Sequence, residues 1–268
     1  MFSFYIYMKS DEKEVTEMVE ELSLSNTVLT REKLFELDQL LPLSETPIST
    51  AIPEWCKFLR SNYNVFLDEY ESFIKKASAP LTKVTTGDLG GDSDVFNKWQ
   101  TIILRLYDRD TDYASMFPNT MKILNKNDRI KTIIFSTFAP GAKLIPHRGV
   151  SRTVLRYHLG LKVPHDRINC YLTLWDTKDN FEVMYRHSWE VGKDIIFDDN
   201  YLHTAVNPTT DPRTVLLLDI KREFNNEEHR KLSDLIMNYA FLSVNNDEIV
   251  KINKEAAKAK IKLKKVKP

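Results

Sequence analysis

The sequence predicts a mainly β protein with flanking α-helices, its strands forming an antiparallel sandwich or barrel. From about residue 130 to residue 220 the chain breaks into short strand-like runs, each closed by a turn signal. No helical period separates those runs, which excludes the βαβ alternation of a parallel sheet. Outside that stretch apolar residues recur at helical spacing, which places helices on either side of the strands.

Each element has its own signal. Residues 10–41 read as two amphipathic helices, one with Val15, Met18, Val19 and Leu22 on a face, the other with Leu34, Leu37, Leu40 and Leu41. Ser10 caps the first, with Asp11 and Glu12 in its opening turn. Pro42, Pro47 and Pro53 make 42–53 a connection, and a further helix is predicted over 66–77. Gly87, Gly90 and Gly91 form a flexible loop; no Lys-Ser/Thr follows, so it is not a phosphate loop. Strands are predicted over 131–138, 153–161, 170–175, 181–189, 193–197 and 214–220. Pro140-Gly141, Pro164, residues 176–180, Gly192 and residues 207–212 supply the turns. Asn225-Asn226-Glu227-Glu228 opens a helix with Leu232, Leu235, Ile236 and Tyr239 on one face. The eight lysines from Lys251 onward read as a solvated helix or frayed end, ahead of a nucleic-acid or lipid contact. The expected organisation is a helical extension over 1–60, a jelly-roll domain with its leading helices over 61–224, and a C-terminal helix with a basic tail over 225–268.

Composition removes several function classes. The chain has 268 residues, 42% hydrophobic and 28% charged, values that exclude a wholly disordered or fibrous protein. Lys plus Arg and Asp plus Glu are 38 each, so no net charge draws it to nucleic acid. Cys56 and Cys170 are far apart and in no metal-binding spacing, which fits a reducing compartment and not a disulfide scaffold. The apolar MFSFYIYM start lacks a basic flank and a cleavage site, and no later run approaches a membrane span. A cytoplasmic location with no membrane span is therefore expected.

The chemistry is concentrated between residues 147 and 219. His147-Arg148-Gly149, Arg156-Tyr157-His158, Phe197-Asp198-Asp199 with His203, and Arg213 occur there in order. Imidazole binds Zn, Cu, Fe and Ni alike, so two histidines define a metal site without naming the metal. A jelly roll can bring two such strand ends together in its mouth, where non-haem iron oxygenases hold their metal. The usual facial triad there is His-x-Asp/Glu plus a distant His, and Gly149 stands at the carboxylate position. Two protein ligands would leave room for a bidentate 2-oxo acid, water and oxygen. Asp198 or Asp199 is an alternative third ligand, although turn acids ordinarily accept local N–H groups. Arg213 opens an apolar strand, where a guanidinium needs a partner and its planar fork matches a carboxylate. Arg156 and His158 alternate with Leu155, Tyr157, Leu159 and Leu161, so their face looks either into a cavity or into solvent. Hydrolytic zinc chemistry also uses paired histidines, but no HExxH or neighbouring third ligand supports it.

In this ordered set the chain resembles the aspartyl/asparaginyl β-hydroxylase family of Fe(II)- and 2-oxoglutarate-dependent dioxygenases. The matching pieces are Pro146-His147-x-Gly149, Leu155-Arg156-x-His158-Leu159-Gly160-Leu161, Trp189-Glu190-x-Gly192-Lys193, Ile196-Phe197-Asp198-Asp199-x-x-x-His203, and Arg213 with its Val-Leu-Leu-Leu-Asp219 strand. They cover about residues 99 to 221 and include the family's glycine in place of the carboxylate. The resemblance implies a double-stranded β-helix, the cupin-like jelly roll. It implies His147 and His203 as iron ligands, and Arg213 with Ser136 on the distal carboxylate of 2-oxoglutarate. Arg156 and His158 would meet its metal-side carboxylate or the substrate, and Trp99 would be a pocket tryptophan. Fe(II), 2-oxoglutarate and O2 are the implied cofactors, and His147, His203 and Arg213 the implied catalytic set. The implied reaction is hydroxylation of an unactivated C–H, at the β-carbon of Asp or Asn in a peptide or protein. Hydroxylation of a lipid acyl chain or small metabolite is the alternative, and a catalytically silent jelly-roll binding protein is another.

Overall fold

A computed structural model describes residues 30–77, 82–83, 98–176, 183–243 and 246–265. The first of the two expected N-terminal helices and the glycine cluster lie outside the described residues. The chain runs through α1 (Arg31–Asp38), α2 (Glu54–Ser61), α3 (Tyr63–Ala77), β1 (Thr82–Lys83), β2 (Trp99–Leu106), β3 (Arg109–Asp110) and α4 (Pro118–Leu124). Strands β4 (Ile130–Phe138), β5 (Ala142–Lys143), β6 (Val154–Lys162), β7 (Tyr171–Asp176), β8 (Val183–Ser188), β9 (Asp194–Phe197), β10 (Leu202–Asn207) and β11 (Arg213–Lys221) follow. Two helices close the chain, α5 (Glu227–Ser243) and α6 (Asn246–Lys265).

The strands make two antiparallel sheets. A seven-stranded sheet runs β1-β2-β4-β11-β6-β9, with β3 beside β2, and a four-stranded sheet runs β5-β10-β7-β8. The eight strands β4 to β11 thus divide four and four, winding between the sheets in the Greek-key order of a double-stranded β-helix. The fold class read from the sequence is the one observed.

Period-2 alternation gives the larger sheet two buried faces. Its outer side carries Phe135, Tyr157, Leu159, Leu161, Leu216, Leu218 and Ile220, packed with Leu59, Phe66, Tyr70 and Phe73 of α2 and α3. Its inner side carries Phe138, Ile195, Phe197, Val215 and Leu217, packed with Leu172, Leu174 and Ala205 of the smaller sheet. Residues 30–60 are tied to this body. Leu37 and Leu41 share a cluster with Phe224, Leu232 and Ile236. Ile48 pairs with Phe197 at the sheet edge, and Ser49 N donates to Ile196 O.

Several elements differ from the sequence reading for identifiable reasons. Strand β2 has apolar side chains toward both faces, so it shows no alternation. Strand β10 inverts the usual pattern: His203 and Asn207 are buried while Leu202 and Val206 are partly exposed. Helices α2 and α4 have eight and seven residues, too short for a clear period. The lysine-rich end does form a helix, but it packs Ile252, Ala256 and Ala259 into the outer core instead of lying free in solvent.

Candidate functional site

His147 and His203 pair as an antiparallel bridge, each backbone N–H donating to the other's carbonyl at 2.9 Å. Their rings stand 4.1 Å apart between centroids. His147 Nδ1 lies 2.9 Å from Ile145 O, and His203 Nδ1 lies 3.0 Å from Tyr201 O. A carbonyl only accepts, so both protons sit on Nδ1 and both Nε2 lone pairs are free for a metal. Burial lowers the pKa of both rings; for His203, with His147 beside it, the value falls to about 3. The pair is neutral, as metal ligands must be.

Gly149 is explained by its neighbour Asp199. A Cβ on residue 149 would come within 2.5 Å of Asp199 Cγ and 2.8 Å of its Oδ2. The carboxylate of Asp199 therefore occupies the space that a side chain at position 149 would need. Asp199 faces Arg156 Nη2 at 2.8 Å, and Arg156 Nε faces Asp219 Oδ1 at 2.8 Å. Burial raises the Asp199 pKa to about 6 against the opposing pull of Arg156. Burial also disfavours the charge on Arg156, but Asp199 and Asp219 outweigh it and hold the guanidinium charged. Asp198 has a different task. Its carboxylate accepts from the N–H of Asn200 at 3.1 Å and of Ser44 at 2.9 Å, fixing the turn and the N-terminal strap. Among the described residues no three His, Cys, Asp or Glu side chains gather as a metal site. Asp199 does not join the histidine pair as a third ligand in this arrangement.

The inner face of β4, β11 and β6 carries the remaining candidates. Arg213 is 2% exposed, and its Nε and Nη1 have no hydrogen-bond partner among the described residues. Its guanidinium carbon lies 4.3 Å from the ring centroids of both Phe138 and Trp189. Burial lowers its pKa to about 10, partly offset by the adjacent Cys170. Ser136 is buried and accepts from Trp99 Nε1 at 3.0 Å, which leaves its own O–H free to donate. In register, Arg213 pairs with Phe138, and Ser136 with Val215. His158 pairs with Leu217, is buried, and has both ring nitrogens unpartnered. Its pKa is held well below the ordinary histidine value by burial and then by Arg213 and Arg156.

Ser136, Arg156, His158 and Arg213 share the inner face of the larger sheet, with Trp99 reaching Ser136 and His203 meeting Phe197 of that face, whereas Asp198 turns away to Ser44. The face of Arg156 and His158 looks inward instead of into solvent. Three further contributors were not foreseen: Asp219, Phe138 and Cys170. Asp219 carried a usable signal, an acid inside an apolar strand that requires a buried cation. Phe138 and Cys170 resembled ordinary core residues.

The double-stranded β-helix thus holds a pair of histidines, a buried arginine and, among the described residues, no group of three metal-ligating side chains. The chain belongs to the aspartyl/asparaginyl β-hydroxylase family, whose model matches residues 60–223. It is 31% identical over 180 residues to the ornithine lipid ester-linked acyl 2-hydroxylase of Rhizobium tropici, covering 66% of this chain and 61% of that protein. It is 28% identical over 183 residues to human aspartyl/asparaginyl beta-hydroxylase, covering 65% of this chain and 22% of that protein. The chain thus spans less than two thirds of either relative. Among solved structures, a 2OG-Fe(II) oxygenase-family oxidoreductase from Burkholderia pseudomallei aligns with TM-score 0.42 and 10% identity, over 68% of this chain and 93% of that one. No described helix is long and apolar enough to cross a membrane.

Proposed function

We propose that this protein is an Fe(II)- and 2-oxoglutarate-dependent dioxygenase that hydroxylates an unactivated C–H bond. The observation that carries the reading is Arg213, a fully buried guanidinium with two unpartnered nitrogens on the same interior surface as a neutral histidine pair. A buried cation without an anion is costly, and the distal carboxylate of a 2-oxo dicarboxylate supplies the partner. His147 and His203 would hold the metal through Nε2. Arg213 and Ser136 would donate to the distal carboxylate, with Trp99 fixing the Ser136 hydroxyl. Arg156 and His158 would contact the metal-side carboxylate or the substrate. When bound, the metal and 2-oxoglutarate would supply the oxidising chemistry: O2 is the oxidant, one of its atoms going into the succinate formed as CO2 leaves and the other into the substrate C–H bond as a hydroxyl. The chain's own part is to bind, orient and exclude water; the inward apolar side chains of Phe197, Leu174 and Leu217 do the last.

The substrate reading is the β-carbon of an Asp or Asn side chain in a peptide or protein. The similarity to an acyl 2-hydroxylase supports a second reading, a lipid acyl chain. Both are tested by incubating the protein with Fe(II), 2-oxoglutarate and either peptide or acyl-lipid pools, following succinate and a mass gain of one oxygen. Substrate-stimulated succinate in one pool selects that reading. No 2-oxoglutarate binding under anaerobic conditions overturns the oxygenase assignment and leaves a jelly-roll binding protein.

A further inference from the structure

The Trp189-Glu190-x-Gly192-Lys193 turn has no role in the chemistry assigned so far, yet it is stapled to the middle of β6. Gly192 N donates to Gly160 O at 2.9 Å, and Gly160 N donates to Lys193 O at 2.9 Å. Gly192 has φ +72, a left-handed turn that glycine adopts without strain. Gly160 has no room for a side chain: a Cβ there would lie 2.9 Å from the Glu190 carbonyl carbon, and nearer still to its oxygen. Two glycines on different elements thus let this turn sit directly against the strand.

The consequence is the position of Trp189, 1% exposed, with its ring 4.3 Å from the guanidinium carbon of Arg213. Phe138 meets the same guanidinium at 4.3 Å. Ring faces attract a cation and block contacts above its plane, so the free edge of the guanidinium, Nε and Nη1, is what remains for an anion. Trp189 Nε1 is itself buried without a partner and belongs to the same chamber, 6.1 Å between ring centroids from His158. We infer that Trp189 is a positioning residue for the co-substrate: it holds Arg213 at one depth and in one plane, and so sets the chain length of dicarboxylate the site accepts. The inference rests on the reading of Arg213 as the carboxylate partner.

The test uses full-length protein loaded with Mn(II) without oxygen, and measures calorimetric affinity for 2-oxoglutarate and for the one-carbon-longer 2-oxoadipate. Trp189→Met removes the ring face and should weaken 2-oxoglutarate binding roughly tenfold while narrowing the preference over 2-oxoadipate. Trp189→Phe restores a ring face and should recover most of both. Mn(II) affinity should be unchanged in each, and in turnover KM for 2-oxoglutarate should rise with kcat largely kept. Wild-type affinity and preference in Trp189→Met overturn the inference, as does Trp189→Phe behaving like Trp189→Met. If Trp189→Met does not fold, Phe138→Leu takes its place, since it removes the other ring face from Arg213: a weaker and less selective 2-oxoglutarate site is expected, and wild-type affinity and preference there overturn the aromatic clamp as the determinant. Failure of wild-type protein to bind 2-oxoglutarate would instead overturn the co-substrate reading itself.

Discussion

Adding one carbon at Gly149 should damage the site directly, through Asp199. The Cβ of Gly149→Ala would sit 2.5 Å from Asp199 Cγ, well inside van der Waals contact. Asp199 is 3% exposed and is held by Arg156 at 2.8 Å, so it has no free direction in which to yield. Overpacking alone costs about 1–3 kcal/mol, and pulling Asp199 off Arg156 approaches the roughly 3–5 kcal/mol of a broken buried pair. A loss near 3 kcal/mol is expected, lowering Tm by roughly 6–12 °C in a domain of this size. Urea unfolding of wild type, Gly149→Ala, Asp199→Ala and the double variant forms a complete cycle. In the Asp199→Ala background most of the alanine penalty should vanish. Equal cost of Gly149→Ala in both backgrounds would refute the steric argument. The same crowding predicts that Gly149→Asp does not install a working third ligand, which metal titration would check.

Other outcomes follow from the same geometry. His147→Ala and His203→Ala should each lower Mn(II) affinity at least tenfold and abolish coupled succinate formation; wild-type metal binding in either removes it from the ligand set. Arg213→Met keeps the apolar stem and deletes the charge, so it should leave metal affinity intact and weaken 2-oxoglutarate by roughly 30-fold or more, read by calorimetry. Unaltered 2-oxoglutarate affinity would exclude Arg213 as its carboxylate partner. Asp38 accepts from Ser151 Oγ at 2.7 Å and from the backbone N–H of Arg152 at 2.9 Å, tying α1 to the loop beyond Gly149. Burial raises its pKa from 3.8 to about 6, and these hydrogen bonds pull the other way. The folded state therefore holds the proton more tightly: the stabilisation is complete below 3.8 and is lost as pH rises through about 6. Two pKa units correspond to about 3 kcal/mol. Asp38→Asn should remove that fall, and parallel stability curves for variant and wild type between pH 4 and 7.5 would contradict it.

Much of the site was legible because its residues violate local patterns. Arg213 is a charge that opens an otherwise apolar strand, and such a residue demands a partner wherever the strand is buried; Asp219 carried the same signal but was given no role. His147 stood out by the Pro140-Gly141 turn and strand-like approach before it, and His203 by the acidic turn that precedes it. Strand β10 was hidden because its polar side chains, His203 and Asn207, point inward. The split between Asp198 and Asp199 was also unreadable. Adjacent acids have identical local sequence, and only the packing sends one to the backbone of Ser44 and the other to Arg156.

By itself the sequence determined the β-rich class, the flanking helices, the family resemblance and the candidate histidines and arginines. Periodicity, turn chemistry and residue type are local properties, and they survive without coordinates. Tertiary structure decided why residue 149 must be glycine, what Asp199 does, and how the Trp189 turn reaches Arg213. Each of these depends on two atoms competing for one volume, brought together by strands far apart in the chain. No local pattern records that competition.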